Sequence, residues 1–345
     1  MVCAGIIFPA MPWPKITITT DTGERHPAIA PVIISASRST DIPAFYGKWF
    51  LRRLESGYVR WNNPWSGKDL FVSLTHARLF VFWSKNPRPF FPVLDELDRR
   101  GIKYLFHFTV NDYEHEGLEP QVPRIEERIK TFKLLSARIG RQRLIWRFDP
   151  LVITGYCTTD RLIGRIEKIG NSIASSTDRL IISFIAPYAK VSRNLHNAGI
   201  RLVPWDGISR DRMLQGIGKL CASWRLPVFT CADDTGGTND GIMRGKCIDE
   251  RHIERLWGAD DAELMRYLRN GGGVKDRGQR PLCRCIKSKD IGGYNTCGHL
   301  CAYCYANTSP ERARRSMERT DANADSIGGH SSSISSGSTA GSSLS

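Results

Sequence analysis

Three cysteines near the C-terminal end of the sequence have the spacing of iron–sulfur ligands. Cys297, Cys301 and Cys304, the C-terminal triad, form the pattern C-x3-C-x2-C, and closely spaced loop thiolates are the usual ligands of a 4Fe–4S cluster. Three thiolates leave one iron of that cluster open to a substrate or cofactor. A structural zinc ion would need a fourth ligand. His299 is the nearest candidate, but it sits between two ligands in a tight loop, where its ring is poorly placed to reach the same metal.

A second cysteine set has irregular spacing. Cys231 ends a predicted strand, and Cys247, Cys283 and Cys285 lie in loops around glycine-rich sequence. Four thiolates could hold a second 4Fe–4S cluster or a zinc ion, or they could be unrelated thiols, some of them packed in the core. The chain has ten cysteines and shows no signal peptide. We therefore expect a reducing cytoplasm, where disulfides are rare and clustered thiols indicate metal binding.

The elements that must position these thiols alternate between short apolar runs and amphipathic helical patterns, which predicts a parallel α/β sheet. The predicted strands are Val32–Ala36, Leu79–Trp83, Tyr104–Val110, Leu144–Phe148, Leu180–Ile185 and Pro227–Cys231. The predicted helices include Ala44–Glu55, Pro87–Arg100, Ile125–Ile139 and Ile208–Trp224, and Tyr58–Leu74 reads as a β-hairpin insertion. An open doubly wound sheet is one solution, but no G-x-G-x-x-G loop follows the first strand. We favour a partial (β/α)6 TIM-like barrel of parallel strands.

Composition divides the chain into three regions. Residues 1–30 are rich in proline and threonine and lack periodicity, so we expect a loose N-terminal extension. Residues 31–308 hold the apolar segments and are expected to form one α/β domain that includes the cysteine-rich C-terminal segment. Residues 309–345 run into Ser331–Ser345, which is nearly all serine and glycine. Such a stretch buries too little apolar surface to fold, so we expect a disordered tail.

Polar side chains recur where the predicted strands end, and in a parallel barrel the active site lies beyond those ends. We expect a cofactor contact at Ser37, and catalytic roles for Arg38, Asp41, Lys85, Asn86, Arg147 and Asp149. The cations among them would suit a carboxylate or phosphate of a substrate. For any single residue a helix cap or a strand-end ion pair is an equally open interpretation.

The chain is strongly basic. Lys and Arg number 49 against 35 Asp and Glu, a formal charge of +14, and the charges of the two terminal regions cancel. The excess in the middle region favours an anionic partner, either nucleic acid or a phosphorylated small molecule, or it is an ordinary basic surface. No apolar run is long enough to span a bilayer, so we expect a cytoplasmic protein without a membrane partner.

The residue before the third cysteine of the triad sharpens the first hypothesis. Radical S-adenosylmethionine enzymes carry the motif C-x3-C-x-aromatic-C, and with Tyr303 this segment is similar at every marked place. Longer segments resemble a bacterial family known as domain of unknown function 1848, whose members look like radical enzymes. They are Ile33–Tyr46, Val81–Pro87, Ile145–Pro150, Cys283–Gly292 and Tyr294–Asn307.

That resemblance implies a 4Fe–4S cluster on the triad, S-adenosylmethionine as cofactor with Tyr303 beside it, and an electron donor such as flavodoxin or ferredoxin. It also implies reductive cleavage of S-adenosylmethionine to start radical chemistry on an unknown small-molecule or nucleic-acid substrate. Since the triad follows the last predicted strand, the C-terminal segment would have to fold back over the barrel mouth. The alternative is a zinc- or cluster-binding protein that interacts with nucleic acid without radical catalysis.

Overall fold

An eight-stranded parallel sheet forms the centre of the computed structural model, which describes residues 13–186, 188–233, 241–276 and 278–328. From one edge to the other its strands are β13 (Ile242–Arg244), β12 (Val228–Thr230), β10 (Leu180–Phe184), β8 (Leu144–Leu151), β7 (Lys103–Thr109), β6 (Leu79–Ser84), β3 (Ile33–Ala36) and β14 (Lys289–Asp290). Every neighbouring pair in this order is parallel. The last strand in the chain, β14, thus lies beside the first, β3.

The sheet has more strands than the sequence predicted, and it is not a closed barrel. All six predicted strands are present, while β13 and β14 are additional. These two have three and two residues and contain charged side chains, so no apolar run marks them in the sequence. Within the described residues, β13 and β14 form the two edges and do not pair with each other.

Helices cover the sheet. Those of the described residues are α1 (Ile42–Phe45), α2 (Gly47–Ser56), α3 (Phe91–Arg99), α4 (Ile125–Ile139), α5 (Thr159–Ile173), α6 (Ala189–Asn197), α7 (Gly207–Trp224), α8 (Glu250–Trp257), α9 (Ala262–Tyr267) and α10 (Pro310–Arg319). In α5 the sequence explains why a helix forms and which side it buries. The hydroxyl of Thr158 caps the first turn, and the buried stripe consists of Leu162, Ile166, Ile169 and Ile173. No helix among the described residues is long and apolar enough to cross a membrane.

The two faces of the sheet bury different partners, because successive side chains of a strand point to opposite faces. One face carries Phe82 and Phe106 and packs on helices α2, α3, α4, α5 and α7. The other face carries Val81 and Leu105 and packs on α8, α9 and the loops that hold the second cysteine set. The second cysteine set therefore packs against the face that carries Val81 and Leu105.

The N-terminal region is not the loose extension that the sequence suggested, at least from residue 15 onward. Strands β1 (Lys15–Thr19) and β2 (Arg25–Ile29) form an antiparallel hairpin. They join β4 (Tyr58–Asn62) and β5 (Asp69–Ser73), the predicted hairpin insertion, in a second sheet of order β1-β2-β5-β4. Strands β1 and β2 are thus ordered because β2 pairs with β5, and no local apolar run marks them in the sequence. Strands β9 (Ile153–Thr154) and β11 (Leu202–Val203) form a small antiparallel pair.

The C-terminal tail is also partly ordered, contrary to expectation for residues 309–328. After α10 the chain contacts α2 and the second sheet. Trp49 of α2 donates to the carbonyl of Ala324 (2.8 Å), and Arg60 of β4 pairs with Asp325 (2.9 Å). These partners lie far away in sequence, which is why composition alone did not indicate order. The Ser331–Ser345 stretch lies outside the described residues.

Candidate functional site

The cysteine loop, residues 297–304, lies over the edge of the sheet where the parallel strands end. Lys85, which follows β6, donates to the hydroxyl of Tyr303 (2.9 Å). The ring of His299 lies 2.8 Å from Asp41, which follows β3. The C-terminal segment thus folds back over the strand ends.

Asp290 ties the start of this segment to β3. Its carboxylate accepts hydrogen bonds from the Ser35 hydroxyl (2.9 Å), the Ser37 hydroxyl (2.7 Å) and the backbone N–H of Arg38 (2.6 Å). Gly292 donates a further bond from its backbone N–H (2.9 Å). Ser37, an expected cofactor contact, is 1% exposed and donates to this carboxylate. The arrangement fixes β14, and with it the cysteine segment, beside β3.

A buried carboxylate organises the polar network beneath the loop. Glu119 accepts hydrogen bonds from Lys85 (2.7 Å), Asn111 (3.1 Å) and the Tyr303 hydroxyl, and Arg128 lies 3.5 Å away. Burial alone would raise the pKa of Glu119, but Lys85 and Arg128 lower it to about 2. Glu119 is therefore ionised and holds Lys85 and Tyr303 in place below the triad.

The three cysteines of the triad are partly buried and interact electrostatically, but within the described residues they are not preassembled as ligands of one metal ion. Burial raises the pKa of each of them. The Lys85 ammonium opposes this effect at Cys301. At Cys304 the backbone N–H of Asn307, 3.4 Å from the sulfur, does the same. A cation and an N–H donor favour thiolates, the form of cysteine that binds iron.

His299 is engaged on both sides of its ring. Its Nε2 lies 2.8 Å from Asp41 Oδ2, and its Nδ1 lies 3.3 Å from the carbonyl oxygen of Gln121. Asp41 also accepts hydrogen bonds from the backbone N–H groups of Lys85 (2.7 Å) and Ala44 (3.0 Å). Because both ring nitrogens have partners, His299 in this conformation is not a fourth ligand beside the triad. Asp41 and His299 position the loop.

The structure brings the second cysteine set together. The sulfurs of Cys231 and Cys247 are 3.1 Å apart, and the sulfur of Cys285 accepts from the backbone N–H of Cys247 (3.2 Å). A hydrogen bond from the Cys285 thiol lowers the pKa of Cys283 in spite of burial. Arg147 donates to the sulfur of Cys247 (2.8 Å). Within the described residues, no three Cys, His, Asp or Glu side chains are arranged as ligands of one metal ion, so these contacts define a thiol cluster.

Hydrogen bonds connect the triad loop with this thiol cluster. Asn111 donates to the Tyr303 hydroxyl (3.3 Å) and to the backbone carbonyl of Asp149 (3.0 Å). Asp149 pairs with Arg147, and Arg147 reaches Cys247. Burial would raise the pKa of Asp149, but Arg147 lowers it. Asp149 and Arg147 thus lie between the two cysteine groups.

Arg38 completes this edge of the sheet. Its guanidinium lies over the ring of Trp83 (5.2 Å) and donates to the Ser288 hydroxyl (3.0 Å). Trp83 in turn stacks on His107 (5.1 Å between ring centroids). Asn86 follows Lys85, and its backbone N–H donates to the Ser84 hydroxyl (3.0 Å). Of the expected strand-end cations, Lys85 and Arg147 are thus held in buried ion pairs, and Arg38 lies against Trp83.

Comparison with protein-family models gives a match that covers this whole arrangement. The model described as "Domain of unknown function (DUF1848)" matches residues 33–306. The chain belongs to this family. The DUF1848 region contains every strand of the eight-stranded sheet and both cysteine groups. No curated protein and no solved structure matched the chain.

Three residues of this DUF1848 site were missed by sequence reasoning. Glu119 and Asn111 lie in the loop after β7, where no periodic pattern gives them weight, and Asp290 ends a two-residue strand. Glu119 could have been suspected as a lone carboxylate after a strand end. For Asp290 there was no local signal, since its partners are more than 250 residues away in sequence.

Gly292 is required by the close approach of the C-terminal segment to β3. A Cβ there would lie 1.9 Å from the hydroxyl oxygen of Ser37 and 2.5 Å from its Cβ. We expect Gly292→Ala to lower the free energy of unfolding by about 1–3 kcal/mol, as overpacking does, and to loosen the cysteine loop. Urea denaturation measures the first effect, and faster alkylation of the triad measures the second.

The matched control is Gly164→Ala in α5, where a Cβ would meet nothing within 4 Å. That change should leave stability equal or slightly higher, because alanine favours a helix over glycine. Equal stability of the two variants would mean that the segment does not pack on Ser37 as described.

Proposed function

We propose that this chain is an iron–sulfur enzyme that binds a 4Fe–4S cluster on Cys297, Cys301 and Cys304 and cleaves S-adenosylmethionine reductively. The observation that carries the proposal is the cysteine loop over the strand ends. There the three cysteines belong to one loop of eight residues, while both ring nitrogens of His299 are engaged by Asp41 and Gln121. A ligand set of three thiolates suits a cluster with one open iron better than a tetrahedral zinc ion.

The surroundings of the triad fit such a cluster. Lys85 offsets negative charge at Cys301, and the backbone N–H of Asn307 points at the sulfur of Cys304. N–H donors to the sulfurs are among the features that tune cluster potentials. When bound, such a cluster supplies the electron that splits S-adenosylmethionine into methionine and a 5′-deoxyadenosyl radical.

The chain's own residues would then bind and orient the reactants. Tyr303 is held by Lys85 and Glu119 beneath the loop, where it would form a wall beside the cofactor. Arg38 lies at the same edge and would suit an anionic substrate, while the ion pair of Arg147 and Asp149 would order this edge. In this proposal Ser37 and Asp41 act as positioning residues, since their side chains bond to Asp290 and to backbone or His299 groups.

The second cysteine set would hold a further 4Fe–4S cluster or a zinc ion. The thiols lie close together, and Arg147 donates to one of them. An electron donor such as flavodoxin or ferredoxin would reduce the enzyme. The cysteines of the described residues are all free, in keeping with a reducing compartment, and we place the protein in the cytoplasm.

Anaerobic reconstitution with iron and sulfide tests the proposal. We expect the broad visible absorbance of an iron–sulfur cluster. With a strong reductant and S-adenosylmethionine, we expect 5′-deoxyadenosine to accumulate. A colourless protein that purifies with zinc and binds nucleic acid would instead support the alternative function. A coloured protein that leaves S-adenosylmethionine intact would reduce the proposal to a cluster-binding protein.

A further inference from the structure

A basic cavity lies away from the strand-end site. It has a volume of about 570 Å³ and adjoins the edge strand β13, helix α8 and the residue that precedes β10. Its basic lining consists of Arg179, Arg244, Lys246, Arg251, Arg255 and Arg284. None of these residues belongs to the hydrogen-bonded network that connects the two cysteine groups. The proposed function therefore leaves this cavity without a role.

Nearby carboxylates neutralise only part of the positive charge of the lining. Arg179 pairs with Asp249 (3.2 Å) and Asp178 (3.3 Å), Arg255 pairs with Asp178, and Lys246 pairs with Glu250. Among the described residues, the exposed side chains of Arg251 and Arg284 have no carboxylate within ion-pair distance. Uncompensated positive charge in a concave surface concentrates anions there.

The ring of His252 positions two of the arginines that line the cavity. Its Nδ1 lies 2.5 Å from Arg179 Nη2 and 3.0 Å from Arg255 Nη2. Because a guanidinium only donates, Nδ1 must accept, so the ring proton is on Nε2. That nitrogen is buried and has no partner in the described part of the chain, and His252, 2% exposed, lines the cavity. Since Nε2 has almost no accessible surface, His252 serves the cavity through Nδ1, which holds Arg179 and Arg255.

An apolar wall completes the cavity. Phe229 and Met243 line it, and the guanidinium of Arg179 lies over the Phe229 ring (5.0 Å to the centroid). Arginine forks match phosphate oxygens in geometry as well as charge. The volume falls in the range of small-molecule pockets, roughly 300–1,000 Å³. A lining that combines cations with apolar side chains fits an organic molecule that carries phosphate.

We propose that this cavity binds a phosphorylated small molecule, with Arg251 and Arg284 as its main phosphate contacts. This site goes beyond the proposed function and does not depend on a cluster at the C-terminal triad, while Arg284 stands between Cys283 and Cys285 of the second cysteine set. Whether it serves a second substrate or an effector, its chemistry is recognition of phosphate.

Isothermal titration of the full chain with inorganic pyrophosphate, at one fixed ionic strength, tests the inference. We expect saturable binding to the wild type, and at least about tenfold weaker binding to the double variant R251Q/R284Q, since each arginine offers a charge-assisted bond. Because neither side chain has a carboxylate partner to lose, the variant should unfold at the same urea concentration as the wild type. The control is R25Q/R193Q, which removes two exposed arginines elsewhere and the same net charge.

Three results would overturn the inference. The first is no binding of pyrophosphate. The second is an equal loss of binding in the control, which would reveal non-specific attraction to a basic protein. The third is a single-stranded oligonucleotide that binds more tightly than pyrophosphate and is weakened by R251Q/R284Q, which would make the cavity part of a nucleic-acid surface. Each result leaves the test of 5′-deoxyadenosine formation unaffected, so the two proposals fail separately.

Discussion

Cys301→Ala should remove the open-site cluster and reduce 5′-deoxyadenosine formation below detection. In the proposed function Cys301 is the middle one of the three cluster ligands, and the Lys85 ammonium acts on its thiol. Two thiolates remaining on a loop hold a cluster poorly, and the cleavage of S-adenosylmethionine depends on its electron. Iron and sulfide content after anaerobic reconstitution should fall by about one cluster per chain. If the second cysteine set binds a cluster too, residual absorbance should remain.

The control is Cys221→Ala, which removes a thiol from the buried face of α7. It should keep full iron content and cleavage, with at most a modest loss of stability from the lost packing. Iron content and cleavage in Cys301→Ala that match the control would exclude the triad as the site. Loss of iron in both variants would point to a general folding defect.

Glu119→Gln should lower the free energy of unfolding by about 3–5 kcal/mol, which is the cost of breaking a buried ion pair from one side. Glutamine keeps the shape of the side chain but leaves the buried Lys85 without its carboxylate partner and Arg128 with only Glu114 at 3.9 Å. Urea denaturation at neutral pH measures the loss. Glu167→Gln, at an exposed position of α5, should change stability by no more than about 0.5 kcal/mol.

The lowered pKa of Glu119 predicts that the free energy of unfolding depends on pH. The pKa of Glu119 falls from an ordinary value of 4.5 to about 2 in the folded protein. A carboxyl whose folded pKa is depressed stabilises the protein above its unfolded pKa and loses that contribution as pH falls. The wild type should therefore lose stability between about pH 4.5 and pH 2 more steeply than Glu119→Gln. Parallel curves for the two proteins would contradict the buried ionised state.

Much of the fold could be predicted from local sequence. The apolar runs of the six predicted strands and the amphipathic stripe of α4 are local signals, because burial on a parallel sheet requires continuous apolar residues. The helix Ile125–Ile139 was predicted to the residue. The short strands β13 and β14 were missed, since two or three residues with charged side chains become strands only when a neighbouring strand offers its edge.

In the candidate site, too, some features could be predicted from local sequence and others depend on the tertiary structure. The spacing of Cys297, Cys301 and Cys304 determined by itself that three thiols would lie on one loop, because residues this close in sequence cannot separate far in space. Cations at strand ends followed from the rule that parallel strands end at one edge. These chemical identities are carried by short segments and need no knowledge of distant contacts.

Only the tertiary structure decided what surrounds these residues. It engaged both nitrogens of His299, placed Glu119 between Lys85 and Arg128, and brought Cys231 to within 3.1 Å of Cys247. It also anchored the C-terminal segment through Asp290 on β3. Such contacts join residues that are distant in the chain, and their formation depends on the burial and pairing of whole elements. A local pattern specifies which groups are present; the packing of the sheet specifies which of them meet.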